Sequence, residues 1–373
     1  MGGITNVSGR QLKREMVLIT VFHHNGIELI NATGIAITHS FWLNRSAALV
    51  SVPEVLLSEF AGMASATVSA VAGSVTASTP LAPFSGTEGS YMLPHHAQEI
   101  ERLHRQHLFM NTTTEGQLLV VPPIHEKNSL RVLDSGAADG FWLRDLPRQL
   151  PSHDLELYGV DIGSDLFPAP DENAPYKVEL RSHDVRTPFP RSWEWSSKFD
   201  VINQRLLIWG IQSSEWPRVI SNLVSSLKPG GYIQLVEAEW IDPNNLADEK
   251  TRPQLRKQAA LQEWSTASFG MDIHIAYKLE GLLRGAGLEE VSKIQFDHGY
   301  GALARSKDQR NVSAELWVEC FRTLDEKIPD GGIPGVAANS KEFHEFLDAL
   351  EVEIKTYGYQ PKLNYVYGRK PLA

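Results

Sequence analysis

The sequence predicts an α/β protein built on a doubly wound, mostly parallel sheet of seven strands, completed by a helical lid and helical insertions. Three observations carry the prediction. An apolar strand closes on Asp134, a glycine-bearing turn from Ser135 to Gly140 opens a helix, and about twenty residues later a second strand ends in Asp161. Strands and helices then alternate as far as Val236. Finally, the turn Lys228 to Gly231 leads into a nearly continuous apolar run, the pattern of a strand covered on both faces.

The elements follow in order. From about Glu88 a helical period places Ile100, Leu103, His107 and Leu108 on one face and sets Glu101 against Arg105 as an i,i+4 pair. A linker from Asn111 to Lys127, containing Pro122 and Pro123, precedes the strand Leu130 to Asp134. Strands are expected at Leu155 to Asp161, Tyr176 to Ser182, Phe199 to Asn203 and Tyr232 to Val236, with helices near 140–149 and 214–227. Pro229 ends the second of those helices, and Gly230 or Gly231 supplies the positive φ of its cap. Residues 247–287 read as helical, with Gly287 as a C-terminal cap. The last strands are Glu290 to Phe296 and Asn364 to Tyr367. Between them lie two amphipathic helices, Asp308 to Leu324 and Ser340 to Tyr357, separated by the turn-rich Pro329 to Pro334.

At 373 residues and 42% hydrophobic content, the chain can bury a large core. A net charge of −10 does not supply the phosphate-neutralising surface of a nucleic-acid binder. Cys320 is the sole cysteine, which excludes an intramolecular disulfide framework and fits a reducing, cytoplasmic setting. The five sequons beginning at Asn6, Asn31, Asn44, Asn111 and Asn311 therefore read as chance matches. The apolar run Val17 to Phe22 is too short for a signal core or a membrane span. Ala64 to Thr79 is a low-complexity stretch of small residues, so residues 1–87 read as a poorly ordered extension and Met63 as a candidate working start. Residues 88–373 form the expected domain: lid helix and linker (88–127), core (128–240), then helices and final strands (241–373).

The glycine loop lacks the longer spacing that a pyrophosphate favours, so it suits a nucleoside ligand without a phosphate demand, or else an ordinary strand-to-helix turn. Asp161 is placed either to accept hydrogen bonds from a ribose or to cap a turn. Neither a metal-ligand pattern nor a Gly-x-Ser-x-Gly elbow is present.

Taken together, the segments Tyr91 to Pro94, Glu99 to His107, Val132 to Leu143, Tyr158 to Asp161, Phe199 to Arg205, Leu227 to Glu237 and Tyr367 to Pro371 resemble class I S-adenosylmethionine-dependent methyltransferases of the fungal secondary-metabolism, LaeA-like group. The similarity covers roughly residues 88–372. It implies a Rossmann-like fold and S-adenosyl-L-methionine as cofactor. Tyr91 and the helix from Glu99 to His107 would form the lid. Gly136 would permit close backbone approach, Gly140 would let the next helix start against the strand, and Asp134 would hold the ammonium. Asp161 would take both ribose hydroxyls, Asp184 the adenine amine, and the Val185 amide the ring.

The resemblance departs from the family pattern at one position: Ala138 replaces the middle glycine. Its methyl is tolerable at negative φ and strains the loop at positive φ. Asn203 and Gln204 end the fourth strand, where side chains reach the crevice, and Gln204 would floor the sulfonium. Arg205 would orient substrate, anchor the lid through Glu99 or Glu101, or form a buried ion pair. Trp209 and Trp216 read as core more readily than as cage.

Methyl transfer needs in-line positioning and exclusion of water, and needs a base only when the acceptor must lose a proton. The candidate bases are His95, His96, His274 and His298, with Glu239 as a carboxylate alternative; for a catalytic role the sequence narrows to His298, His274 and Gln204. Trp240, Trp264, Phe269, Met271, His274 and Tyr277 would line the acceptor side. The expected activity is methylation of oxygen, nitrogen or sulfur in a small secondary metabolite, with oxygen slightly ahead. The alternatives are a methyltransferase-like regulatory protein and a cofactor-binding fold that catalyses a non-methylating rearrangement.

Overall fold

The computed structural model describes residues 97–122, 127–169 and 174–372, together with the backbone of 19–23 and 26–30. The chain divides between Thr79 and Pro80. In the first part, β1 (Ile19–His23) pairs antiparallel with β2 (Gly26–Ile30). The low-complexity stretch, Met63, Tyr91, His95 and His96 lie outside the described residues.

The second part is organised by one seven-stranded sheet. Its strands are β3 (Ser129–Ser135), β4 (Asp154–Asp161), β5 (Val178–Ser182), β6 (Phe199–Arg205), β7 (Leu227–Glu239), β8 (Glu289–Asp297) and β9 (Lys362–Arg369). They lie in the order β5-β4-β3-β6-β7-β9-β8. Pairing is parallel from β5 through β7 and antiparallel where β9 slots between β7 and β8. Six consecutive residues of β6, Phe199 to Gln204, are buried, as helices on both faces require. The strand order reverses between β3 and β6 while their direction stays parallel, so the loops after β3, β4, β5 and β6 share one edge and frame a crevice there.

Seven helices accompany the sheet among the described residues: α1 (Ala97–Thr113), α2 (Phe141–Asp145), α3 (Trp216–Ser226), α4 (Pro253–Ser268), α5 (Leu279–Gly285), α6 (Gln309–Arg322) and α7 (Ser340–Tyr357). Helix α7 begins with a reciprocal cap: the Asn339 side chain accepts from the Glu342 amide at 3.0 Å, and Glu342 accepts from the Ala338 amide at 3.0 Å.

Some boundaries differ from expectation. Strand β7 starts at Leu227, so the Pro-Gly-Gly turn is drawn into its extended course, with Gly230 at φ +74°. The Cβ that any other residue would bring to position 231 would sit 3.0 Å from the Asp200 carbonyl, which explains the second glycine. The expected helix 247–287 is interrupted between Ser268 and Leu279, where Gly270 takes φ +71°. Gly287 ends it at φ +80°. Helix α1 also presents a different face: Glu99, Arg102, His107, Phe109, Met110 and Thr113 are buried, while Leu108 is 51% exposed. Arg105 pairs with Glu319 of α6 at 2.7 Å rather than with Glu101.

Candidate functional site

The loop after β3 is built backbone first. The amides of Gly136 and Ala137 both donate to the Val160 carbonyl of β4, at 2.9 and 3.0 Å, and the Gly140 amide donates to the Ala137 carbonyl at 2.7 Å. This tight path puts Gly136 at φ +76° and Gly140 at φ +80°. A Cβ at Gly136 would meet Leu207 at 2.8 Å. Ala138 takes φ +48°, the strained alternative for a non-glycine residue. Its amide donates to Asp161 Oδ2 at 2.9 Å, while Asp161 Oδ1 accepts from the Gly163 amide at 3.0 Å. Two loops therefore fix one carboxylate, and Gly136, Ala138 and Asp161 all face the same cavity.

The pleat decides what each strand end offers this cavity. In register, Asp134 lies opposite Asn203 and Ser135 opposite Gln204, so the two pairs point to opposite faces. Asp134 lines the cavity. Its Oδ1 accepts from Asn203 Nδ2 at 2.8 Å, and Asn203 Oδ1 accepts from Gln234 at 2.9 Å. Burial, only partly offset by Asn203, pushes the Asp134 carboxyl up to about 7.

Arg205 lines the same cavity and is buried within the protein. Its Nη2 donates to His107 Nδ1 at 3.2 Å, and Nη1 has no hydrogen-bond partner among the described residues. A guanidinium only donates, so His107 Nδ1 is the acceptor and Nε2–H faces Asp145 Oδ2 at 2.8 Å. Burial, reinforced by the Arg205 charge, lowers His107 to about 4 and keeps it neutral. Arg205 thus does join the sheet to the lid helix, but through His107. Glu99 instead forms a buried bidentate pair with Arg102, at 2.7 and 2.6 Å.

Beyond the lid the wall turns aromatic. Trp209, Trp240, Tyr300 and Trp317 line it, with Trp240 and Trp317 stacked at 4.6 Å and Tyr300 at 5.1 Å from Trp317. Cys320 adds an apolar surface, since burial pushes its thiol up to about 12 and leaves it protonated.

Of the residues singled out from sequence, Asp134, Gly136, Asp161, Asp184, Val185 and Arg205 come together on this cavity. At Asp184, burial would raise the carboxyl, but Arg186, whose Nε lies at 2.8 Å, outweighs it and holds the group below the usual carboxylate value. The others are placed elsewhere. Gly140 shapes the turn but does not line the cavity, and Asn203 supports Asp134 from behind. Gln204 is on the opposite face, accepting from Ser135 Oγ at 3.0 Å, so it forms no floor to the cavity.

The histidine candidates are displaced too. His298 is fully enclosed, with Thr113 Oγ1 at 2.8 Å from Nδ1 and Tyr300 OH at 2.9 Å from Nε2, and burial lowers it to about 3. His274 sits at the surface against Glu263 at 3.0 Å, and Glu239 accepts from Asn364 at 2.8 Å, away from the cavity.

Of the residues expected to line an acceptor side, the cavity takes one. Trp240 lines the cavity, whereas Trp264, Phe269 and Met271 pack on the core and Tyr277 is 42% exposed. The rest of the cavity's aromatic wall comes from Tyr300 and α6, which the sequence reading missed. It also missed His104 and Asp139, which line the cavity and are hydrogen bonded at 2.8 Å. The one sequence signal for the Glu99–Arg102 pair was its i,i+3 spacing. Among the described residues there is no cluster able to hold a metal ion, and no helix is long and apolar enough to cross a membrane.

Comparison with known proteins follows the same outline. A family model described as a methyltransferase domain matches residues 101–293. The N-methyltransferase tcpN of Claviceps purpurea (strain 20.1) is 30% identical over 276 residues, covering 74% of this chain and 95% of that protein. The N-methyltransferase sirN of Leptosphaeria maculans is 29% identical over 294 residues, 76% of this chain and 96% of that one. The secondary metabolism regulator laeA of Gibberella zeae is 26% identical over 189 residues, 49% of this chain and 54% of that protein.

Proposed function

This chain belongs to the methyltransferase domain family, and from that premise we propose that it transfers a methyl group from S-adenosyl-L-methionine to a nitrogen of a small, flat secondary metabolite in the cytoplasm. The carrying observation is the Asp161 carboxylate, held by the Ala138 and Gly163 amides yet still lining the cavity. Its place on the cavity lining sets a hydrogen-bond-accepting carboxylate where the hydroxyl pair of a ribose would lie.

The residues present fit the cofactor. Asp134 suits its ammonium, Asp161 its ribose, and Asp184 with the Val185 backbone its adenine, while the buried Nη1 of Arg205 awaits a partner. When bound, the cofactor supplies an electrophilic methyl group on a sulfonium. The chain's own share is to orient and to exclude water: lid helix α1 covers the cavity, and the aromatic wall offers flat, apolar contact to the acceptor. His298 and His274 do not reach the cavity, so positioning, with no histidine base from either, is the mechanism we favour.

Nitrogen is favoured over oxygen because tcpN and sirN, matched over nearly their whole length, are N-methyltransferases by name. The match to laeA spans about half of that regulator, which supports the regulatory reading less.

Calorimetric titration with S-adenosylhomocysteine tests the cofactor half. Micromolar binding that is lost in Asp161→Ala is expected; absence of binding to the wild-type protein refutes the reading. Transfer of labelled methyl from S-adenosylmethionine to a panel of secondary-metabolite amines, alcohols and thiols tests the acceptor half.

A further inference from the structure

We propose that Arg205 is the anion-recognition residue of this cavity, taking the carboxylate at the amino-acid end of the cofactor beside Asp134, which takes the ammonium. The inference rests on the cofactor reading above and assigns a role to a residue that reading leaves without one. A guanidinium cannot shed its proton, so burying it without a counter-ion is costly unless something completes it. Among the described residues no carboxylate forms an ion pair with Arg205, and its Nη1 is buried with no hydrogen-bond partner. The side chain nevertheless lines the cavity.

Its position is fixed on the other side. Nη2 is held by His107 Nδ1 at 3.2 Å, and His107 Nε2 by Asp145 at 2.8 Å, so the lid helix and α2 together keep the fork in place. On the adjacent strand, Asp134 is paired in register with Asn203, two residues before Arg205, so both charged groups project from the same face of the sheet. Asp134 is tied to Asn203 and Arg205 to His107; they do not neutralise each other by a direct ion pair. Opposite charges held apart on neighbouring strands match a zwitterionic amino-acid group, with one atom of the fork still to be satisfied.

The test compares two ligands on the full-length protein. S-Adenosylhomocysteine carries the amino-acid end; 5′-methylthioadenosine keeps the nucleoside and thioether and lacks it. By calorimetry, Arg205→Gln should weaken the first roughly 10- to 100-fold and leave the second within about twofold. Arg205→Lys, which keeps the charge and loses the fork, should weaken the first by roughly three- to tenfold and covers the case in which the glutamine variant does not fold.

Equal losses for both ligands, or an unchanged affinity for S-adenosylhomocysteine, overturn the proposal. So does an Arg205 variant that binds both ligands normally but no longer methylates, since that would place the anion on the acceptor. Asp161→Ala should weaken both ligands alike. If the wild-type protein bound neither, the cofactor reading itself would have failed, and this proposal with it.

Discussion

The Ala138 amide donates to the Asp161 carboxylate at 2.9 Å while Ala138 itself sits at φ +48°. The strained residue and the acidic one are thus two ends of a single contact, in which the loop curls far enough to grip the carboxylate and the alanine Cβ carries the steric cost. Replacing Ala138 with glycine relieves that cost and increases unfolded-chain entropy. The net expectation for Ala138→Gly is a gain of about 0.5–1 kcal/mol. Thermal denaturation should show a higher midpoint, with S-adenosylhomocysteine affinity retained; a lower midpoint would show that the methyl packs usefully in the cavity wall.

Asp134 titrates where solution experiments can follow it, because burial pushes its carboxyl up to about 7. An ammonium-bearing ligand binds best once that carboxyl is ionised. Affinity for S-adenosylhomocysteine should therefore rise about tenfold between pH 6 and pH 8. Asp134→Asn should bind more weakly at pH 8 and show a flat profile; an unchanged slope in that variant would assign the titration to another group.

Glu237 accepts from the Leu207 amide at 2.7 Å, and its Oε2 has no hydrogen-bond partner among the described residues. Burial pushes this carboxyl up to about 8. Because the folded value is raised, the associated stability is fully present below the unfolded value of about 4.3 and is lost as pH climbs through about 8. Glu237→Gln keeps an acceptor for the loop and deletes the ionisation. Denaturant midpoints measured from pH 5 to 9 should fall less in the variant than in the wild type, and parallel curves would remove Glu237 from the explanation.

His107 and His298 act in the opposite direction. Burial lowers them to about 4 and about 3, so the folded protein keeps both neutral while the unfolded chain protonates near 6.5. Their contribution is complete above that value and is lost as pH falls toward 4. His107→Gln should lower stability at pH 7 by about 1–3 kcal/mol, through loss of the Asp145 and Arg205 contacts, and flatten the acid limb between pH 6.5 and 4. Circular dichroism against denaturant at stepped pH reads both effects. An acid limb as steep as the wild type's would show that His107 is not its source.

The alternation of strands and helices was legible in the chain because each buried strand announces itself as a short apolar run ending in a polar residue. That pattern places Asp134, Asp161, Asp184 and Arg205 at strand ends, and parallel pairing brings those ends to one edge. The buried face of α1 was not legible. Apolar periodicity pointed to Leu108, but this helix borders the cavity and turns Glu99, Arg102 and His107 inward, where ion pairs and hydrogen bonds compensate their burial.

By itself, the sequence determined the sheet, the glycine-bearing turn from Ser135 to Gly140 and the acidic residue at the end of β4, since these depend on local periodicity and on spacing along the chain, while the strain at Ala138 came from the structure, which sets it at φ +48°. Only the tertiary structure decided which of two neighbouring side chains meets the cavity. Asn203 stands behind Asp134 and Gln204 turns away because the strand register, a long-range property, sets the pleat. The tertiary structure likewise built the aromatic wall of the cavity from Tyr300 and α6 rather than from the residues just after Trp240, because helices distant in sequence pack wherever the sheet leaves apolar surface to cover.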